Sequence, residues 1–188
     1  EAIKIPFVIR YPGRVAGGKE IGPPINVIDI MPTLLGLAGL PVPDAVEGVD
    51  LSAYLTGVRD DPPESVLIMN PCPFSIGDTR GYDQYPDYKG ERLEYRGVIT
   101  ERYTYVRTID RPWLLYDNLK DPYQLDNLID DPGCKDIRIH LETMMRGHMA
   151  AINDELMPRE YYYDQFNIVF DHRGKVIDLV ENMYDRKG

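Results

Sequence analysis

Leu141, Met145, Met149, Ile152 and Leu156 stand three or four residues apart, and this spacing most narrows what the chain can become. On a helix of about 3.6 residues per turn they line up as one apolar stripe. Such a stripe must be buried against a second layer. Asp131-Pro132 marks the start of the element, an N-cap residue followed by proline at the first helical position. Pro158 marks its end.

The second layer is readable immediately upstream. Tyr95 to Thr100 and Tyr103 to Thr108 are rich in aromatic and β-branched residues and read as a hairpin, with Glu101-Arg102 at the turn. Leu114 to Asp117 reads as a further strand, and Ser65 to Met69 as one before the hairpin. Residues 64–157 therefore read as an antiparallel meander followed by a long helix. Residues 158–188 form a tail. It holds Tyr161-Tyr162-Tyr163, a strand at Ile168 to Phe170 and an amphipathic stretch from Lys175 to Met183.

Residues 1–60 have a different pattern. Ile5 to Tyr11 is a continuous apolar run closed by Pro12-Gly13, the pattern of a parallel-sheet strand covered on both faces. Asn26 to Ala38 reads as helix, its regular part beginning near Pro32 and its stop at Gly39. Leu51 to Leu55 is a helical turn ended by Gly57. The stretch Asp60-Asp61-Pro62-Pro63 reads as a boundary. The chain opens Glu-Ala-Ile-Lys-Ile-Pro, without Met, and runs at once into the apolar strand. This reads as a piece of a longer protein.

Composition excludes several classes. A formal net charge of -10 argues against a nucleic-acid or anionic-membrane surface. No apolar run approaches the ~20 residues needed to span a bilayer. The 2 cysteines make neither a disulfide framework nor a structural zinc site, and the 3 histidines are scattered. His140 and His148 lack the i, i+4 spacing of a helical metal pair, and His148 falls in the apolar stripe as a packed residue. His172 precedes Arg173-Gly174 as a turn residue.

Three constellations could carry chemistry. Cys72-Pro73-Phe74-Ser75 has no neighbouring histidine to activate a thiol, and reads as a proline-shaped loop. Asp117, Asp121, Asp126, Asp130 and Asp131 do not match a calcium loop, and turn and cap chemistry accounts for them. The irregular segment from Asn70 to Glu94 is different, being too long for a plain connection. It carries Tyr82, Tyr85 and Tyr88, with Arg80 before them and Lys89 and Arg92 after them. Tyr95 and Arg96 follow it. Tyrosine offers a ring face and a hydroxyl, which suits a sugar or aryl ring, and arginine suits an anionic substituent. Asn70, Tyr82, Tyr85, Tyr88 and Arg96 are therefore the candidate substrate-binding residues. The alternative is that these tyrosines pin the loop to its own domain. Composition and spacing yield no catalytic set.

Three segments together resemble the C-terminal third of the sulfatase family, within the alkaline-phosphatase superfamily. Ile5-Pro6-Phe7-Val8-Ile9-Arg10-Tyr11-Pro12-Gly13 resembles the family strand ending in R-W-P-G, with Glu1 matching a family Glu just before it. Asp29-Ile30-Met31-Pro32-Thr33-Leu34-Leu35-Gly36-Leu37-Ala38-Gly39, then Gly48-Val49-Asp50-Leu51, is similar to D-x-x-P-T-L-L-x-L-A-G followed by G-x-S/D-L. Arg96 to Val106, then Leu115-Tyr116-Asp117 and Asp121-Pro122 to Asn127-Leu128, resembles R-x-V-R-T-x-R-Y-K-Y and L-Y-D-L-x-x-D-P-x-E-x-x-N-L. Ile99 stands where the family's second arginine would be.

The resemblance implies an α/β parent fold. This chain would be α+β: the last strand and helix of the large domain, plus a small antiparallel sheet packed by a long C-terminal helix. It implies a sulfuric ester hydrolase acting on a sulfated small molecule or carbohydrate. The parent would use a divalent cation, calcium, and a formylglycine made from Cys or Ser. The family's catalytic and metal motifs lie before Glu1, in an N-terminal sulfatase domain, so no catalytic residue, metal ligand or cofactor is expected on this chain. Cys72 does not imitate the nucleophile motif, since Pro73 comes one place early and Ile76 replaces the required arginine. The small subdomain would close one side of the cleft. The alternatives are a phosphonate or phosphate-ester hydrolase of the same superfamily, a non-catalytic carbohydrate-binding or assembly module, and a parent without a working nucleophile.

Overall fold

A computed structural model describes residues 3–71, 94–170 and 176–177. It forms two compact units, Glu1–Val66 and Leu67–Gly188.

In the first unit a 3-10 turn, Val27–Asp29, runs straight into helix α1 (Ile30–Ala38). Pro32 is the third residue of α1, where no backbone N–H is needed by the helix. Gly39 ends the helix at φ 71, a conformation open to glycine, and the N–H of Leu40 bonds back to the Leu35 carbonyl at 2.9 Å. Helix α2 (Ser52–Leu55) is a single turn.

Two polar side chains fasten the chain after α1 back onto it. The buried Asp29 carboxylate accepts from the Asn26 N–H at 2.8 Å and from the Val49 N–H at 2.9 Å. The Thr33 hydroxyl accepts from the Leu51 N–H at 3.0 Å. Gly48 passes so close that a Cβ there would lie 2.0 Å from the Ile28 carbonyl oxygen. The Asp, Thr and Gly of the sequence pattern are thus the parts of one crossing.

The strand expected over Ile5 to Tyr11 does not form. The segment has no regular secondary structure, Val8 is 89% and Ile5 70% exposed, and no described strand runs beside it. Apolar character makes a segment fit for a sheet, but a strand exists only when a neighbour supplies the other half of its ladder.

The second unit is built on a four-stranded sheet of β1 (Val66–Asn70), β2 (Tyr95–Ile99), β3 (Tyr103–Thr108) and β4 (Pro112–Asp117), in that order. β2–β3 and β3–β4 are antiparallel, placing Val98 opposite Tyr105 and Tyr105 opposite Leu115. The β2–β3 turn is held by the Thr100 hydroxyl, which accepts from the Tyr103 N–H at 2.8 Å. Helix α3 (Lys135–Ala151) lays Leu141, Met145 and Met149 onto Val98, Tyr105, Leu115 and Ile129. Asp131 caps a 3-10 turn, Pro132–Cys134, that runs into α3, its carboxylate accepting from the Gly133 N–H at 2.8 Å.

α3 ends earlier than the stripe predicts. Ile152 is 47% exposed, and Asn153 turns the chain at φ 53. Leu156 still reaches the edge of the core from beyond the helix. A further helix, α4 (Arg159–Gln165), follows Pro158. β5 (Val169–Phe170), within the strand expected there, pairs antiparallel with β6 (Val176–Ile177). The rest of the amphipathic stretch expected to Met183 lies outside the described residues.

The acidic run is absorbed by turns and an edge, as cap chemistry predicts. Asp117 receives Arg102 at 2.8 Å and the Leu119 N–H at 3.3 Å. Asp121 accepts from the Asp126 N–H at 2.9 Å. Asn127 closes the edge of β4: its Oδ1 accepts from the Leu115 N–H at 2.9 Å, and its Nδ2 donates to the Trp113 carbonyl at 3.0 Å. An otherwise open strand edge is thereby satisfied.

Candidate functional site

Tyr82, Tyr85, Tyr88, Arg80, Lys89, Arg92 and Cys72 to Ser75 lie outside the described residues. Asn70 is the last residue of β1 and half-buried. Tyr95 opens β2, and its ring leans on Trp113 with centroids 6.2 Å apart. Arg96, expected to meet an anionic substituent, lies inside the unit with its side chain 1% exposed.

The surroundings of Arg96 explain where its charge is used. Its Nε donates to Asp154 Oδ2 at 2.5 Å and its Nη2 to Asp154 Oδ1 at 2.8 Å. Nη2 also donates to the Tyr162 hydroxyl at 2.8 Å, and Nη1 to the Tyr95 carbonyl at 3.1 Å. The guanidinium faces the Tyr162 ring, 5.9 Å from its centroid. Burial is the largest single effect and works against the charged form, but Asp154 and Tyr162 together outweigh it, so the Arg96 pKa rises above its ordinary value.

Glu94 lies two residues earlier and is also buried. Its Oε1 accepts from the Arg159 side chain at 2.7 Å and from the Arg159 N–H at 3.1 Å. Its Oε2 is buried without a hydrogen-bond partner. Glu94, Asp154, Arg159 and Tyr162 were not marked by the sequence pattern. Their one sequence trace is Tyr161-Tyr162-Tyr163, which reads as a tail. A second cluster joins β3 to α3: Tyr105 donates to Glu142 at 2.6 Å, and the half-buried Arg107 and the exposed Arg146 pair with the same carboxylate.

His148 is half-buried in α3 and His140 is exposed. Among the described residues, no three His, Cys, Asp or Glu side chains are grouped to hold a metal ion. The described carboxylates nearest in sequence to a ligand pattern are occupied by Arg102 and by turn N–H groups. Engaged in those contacts, these carboxylates offer no open ligand set for a divalent cation among the described residues. No helix of the described residues is long and apolar enough to cross a membrane.

The arrangement is α+β: a small four-stranded antiparallel open sheet with helices. Residues 1–68 match the family model "N-sulphoglucosamine sulphohydrolase, C-terminal". The chain is 37% identical over 182 residues to an ulvan-active sulfatase of Formosa agariphila, covering 96% of this chain and 33% of that protein. It is 32% identical over 169 residues to an endo-4-O-sulfatase of Bacteroides thetaiotaomicron, covering 82% of this chain and 31% of the relative. A solved Bacteroides thetaiotaomicron structure, described under the metabolism of multiple glycosaminoglycans, superposes with a TM-score of 0.59 at 28% identity. It covers 77% of this chain and 30% of that one. The chain is a sulfatase-family sequence, and its family-model match is to a C-terminal region. It spans about a third of the length of these relatives.

Proposed function

We propose that the protein containing this chain hydrolyses the sulfate ester of a sulfated carbohydrate, and that this chain forms one side of the substrate cleft. The observation that carries the reading is the likeness to an ulvan-active sulfatase along nearly the whole chain. Nucleophile, divalent cation and sulfate clamp come from the preceding sulfatase domain. Asn70, Tyr82, Tyr85 and Tyr88 are the proposed substrate contacts, the tyrosines offering ring faces to a sugar. Arg96, whose guanidinium is engaged by Asp154 and Tyr162, contributes through the position of its strand.

The test is sulfate release from sulfated oligosaccharides by the full-length protein, with residues 1–188 alone as the control. Full-length turnover and an inactive control support the reading. Sulfate release by residues 1–188 alone would remove the division of labour, and phosphate or phosphonate release in place of sulfate would move the protein to another branch of the superfamily. Tyr85→Ala should lower kcat/KM on the natural ester about tenfold, or ~1.4 kcal/mol, with little change in Tm. Intact kcat/KM after replacing all three tyrosines would take the loop out of the site.

A further inference from the structure

We propose that Arg107, Arg138 and Arg146 form a binding site for the sulfate groups of a sulfated oligosaccharide, on the face where β3 meets α3. The inference rests on the sulfated-carbohydrate reading above and deepens it, since it assigns a contact surface within the described residues.

The fold gathers the three guanidiniums. Tyr105 and Arg107 are two apart on β3 and share a face of the sheet. Both donate to Glu142 of α3, at 2.6 and 3.4 Å. Arg138, Glu142 and Arg146 are spaced by four on α3 and form one row on the helix. The Arg107 and Arg138 charges both act on the Tyr105 hydroxyl, so they lie near one point.

The fold leaves much of this charge unused. Arg107 stands directly opposite Arg96 in the β2–β3 register, and like charges across a strand pair are destabilising. Asp154 answers Arg96 through two bonds. Arg107 has only the long bond to Glu142, and its buried Nε has no partner. Glu142 is shared besides with the Tyr105 hydroxyl and with Arg146, whose Nε donates to it at 2.7 Å. Arg138 donates to the Ile129 carbonyl at 2.9 Å and meets no carboxylate among the described residues. Arg96, Arg107, Arg138 and Arg146 thus face Asp154 and Glu142, a positive surplus in a chain of formal net charge -10. An arginine kept against the rules of sheet pairing points to function rather than stability.

Guanidinium suits oxyanions because its planar fork offers paired N–H donors. Arg107 is 18% and Arg146 60% exposed, so both side chains are open to solvent. Arg138 and Arg146 are eight residues apart, about 12 Å along the helix. One sulfate does not span that length, whereas sulfate groups on separate sugars of one chain do.

The test uses the full-length protein and three probes: a sulfated ulvan oligosaccharide, the same oligosaccharide chemically desulfated, and inorganic sulfate. Labelling by an arginine-directed dicarbonyl is mapped by mass spectrometry. The sulfated probe should cut labelling of Arg138 and Arg146 at least fivefold, with Arg102, on the β2–β3 turn, unchanged. Equal protection by the desulfated probe would assign the site to sugar carboxylates and overturn the sulfate assignment. Equal protection by inorganic sulfate at the same concentration would mean an adventitious ion only. Arg107→Met removes the charge opposite Arg96. Its Kd for the sulfated oligosaccharide should rise about tenfold while Tm holds or increases. A lower Tm with unchanged Kd would make Arg107 structural and overturn its part in the site. If that variant does not fold, R138Q/R146Q carries the affinity test with the same tenfold loss expected. Sulfate release is measured in parallel. A protein that releases sulfate but leaves Arg138 and Arg146 unprotected overturns this inference alone. A protein that releases none from any oligosaccharide overturns the enzymatic reading, while protection still decides the site.

Discussion

Arg96 on β2 and Asp154 beyond α3, with |i−j| of 58, meet as a two-bond ion pair at 2.5 and 2.8 Å. The pair accounts for the early end of α3. Asn153 adopts φ 53 immediately before Asp154, and the Asp154 N–H bonds back to the Met149 carbonyl at 2.8 Å. The helix stops where its continuation would carry the carboxylate away from the sheet.

Removing one partner should therefore be costly. Asp154→Ala leaves a buried guanidinium without its carboxylate, and a loss of about 3 kcal/mol is expected, near the low end for buried pairs because Asp154 is 15% exposed. A urea titration read at the midpoint with an unchanged slope measures it. A loss below about half a kcal/mol would mean that solvent replaces the carboxylate.

The α3 stripe gives a graded expectation. Leu141 and Met145 are each 1% exposed, and truncation to Ala should cost ~2–5 kcal/mol. Ile152 belongs to the same sequence stripe but is 47% exposed, so Ile152→Ala should stay within about half a kcal/mol. Equal losses at Ile152 and Leu141 would place Ile152 in the core, against this structure.

What could be read from the sequence follows from the range of the forces involved. The β2–β3 hairpin and α3 are set by local alternation and by the 3.6-residue period, so both were legible. β4 begins at Pro112, two residues before the expected Leu114, because strand ends depend on the partner's register. Ile5 to Tyr11 has strand composition but lacks a described ladder neighbour, and composition cannot supply one. Arg96 read as part of an exposed Tyr/Arg cluster because its neighbours in sequence are tyrosines. Its true partners, Asp154 and Tyr162, are brought to it only by the fold. Asn70, expected to open the irregular segment, is instead the last residue of β1, and Tyr82, Tyr85 and Tyr88 lie outside the described residues.

Acid should weaken the β3–β4 end. The hydrogen bond from Arg102 leads the effects that hold the Asp117 carboxyl below its ordinary value. A carboxyl with a depressed native pKa stabilises the fold while both states are ionised. That contribution is lost as pH falls from about 5 through the native value. Asp117→Asn should flatten this part of the stability profile in chemical denaturation between about pH 5 and pH 2. An unchanged acid slope would mean that Asp117 is not a source of it.

Alkali should act at Tyr105. Burial, followed by its hydrogen bond to Glu142, pushes the phenol well above its ordinary value. A group with a raised native pKa stabilises fully below its unfolded pKa of about 10, and the contribution is lost as pH climbs from there towards the native value. Tyr105→Phe removes this alkaline loss. At neutral pH it removes the 2.6 Å hydrogen bond and costs on the order of 1–2 kcal/mol. A profile above pH 10 identical to wild type would show that other groups govern the alkaline limb.

Asn127 should protect the outer edge of the sheet. β4 is the last strand in the order β1-β2-β3-β4, and its outward backbone groups face no fifth strand among the described residues. The Asn127 side chain substitutes for one, accepting from the Leu115 N–H and donating to the Trp113 carbonyl. The Leu128 N–H bonds the Leu115 carbonyl at 2.8 Å and completes the closure. Leu115 is 1% exposed, so its N–H has little access to water if the amide is removed. Asn127→Ala should cost about 1–3 kcal/mol, the penalty for an orphaned buried donor. Asn127→Asp keeps the acceptor for Leu115 but sets a carboxylate oxygen against the Trp113 carbonyl, so it should recover only part of the loss. The local readout is amide hydrogen exchange. The Leu115 amide should lose protection in Asn127→Ala by a larger factor than the Val98 or Tyr105 amides on the inner strands. Uniform loss across all three strands would mean that the variant only lowers global stability, and that the edge is closed by something other than Asn127.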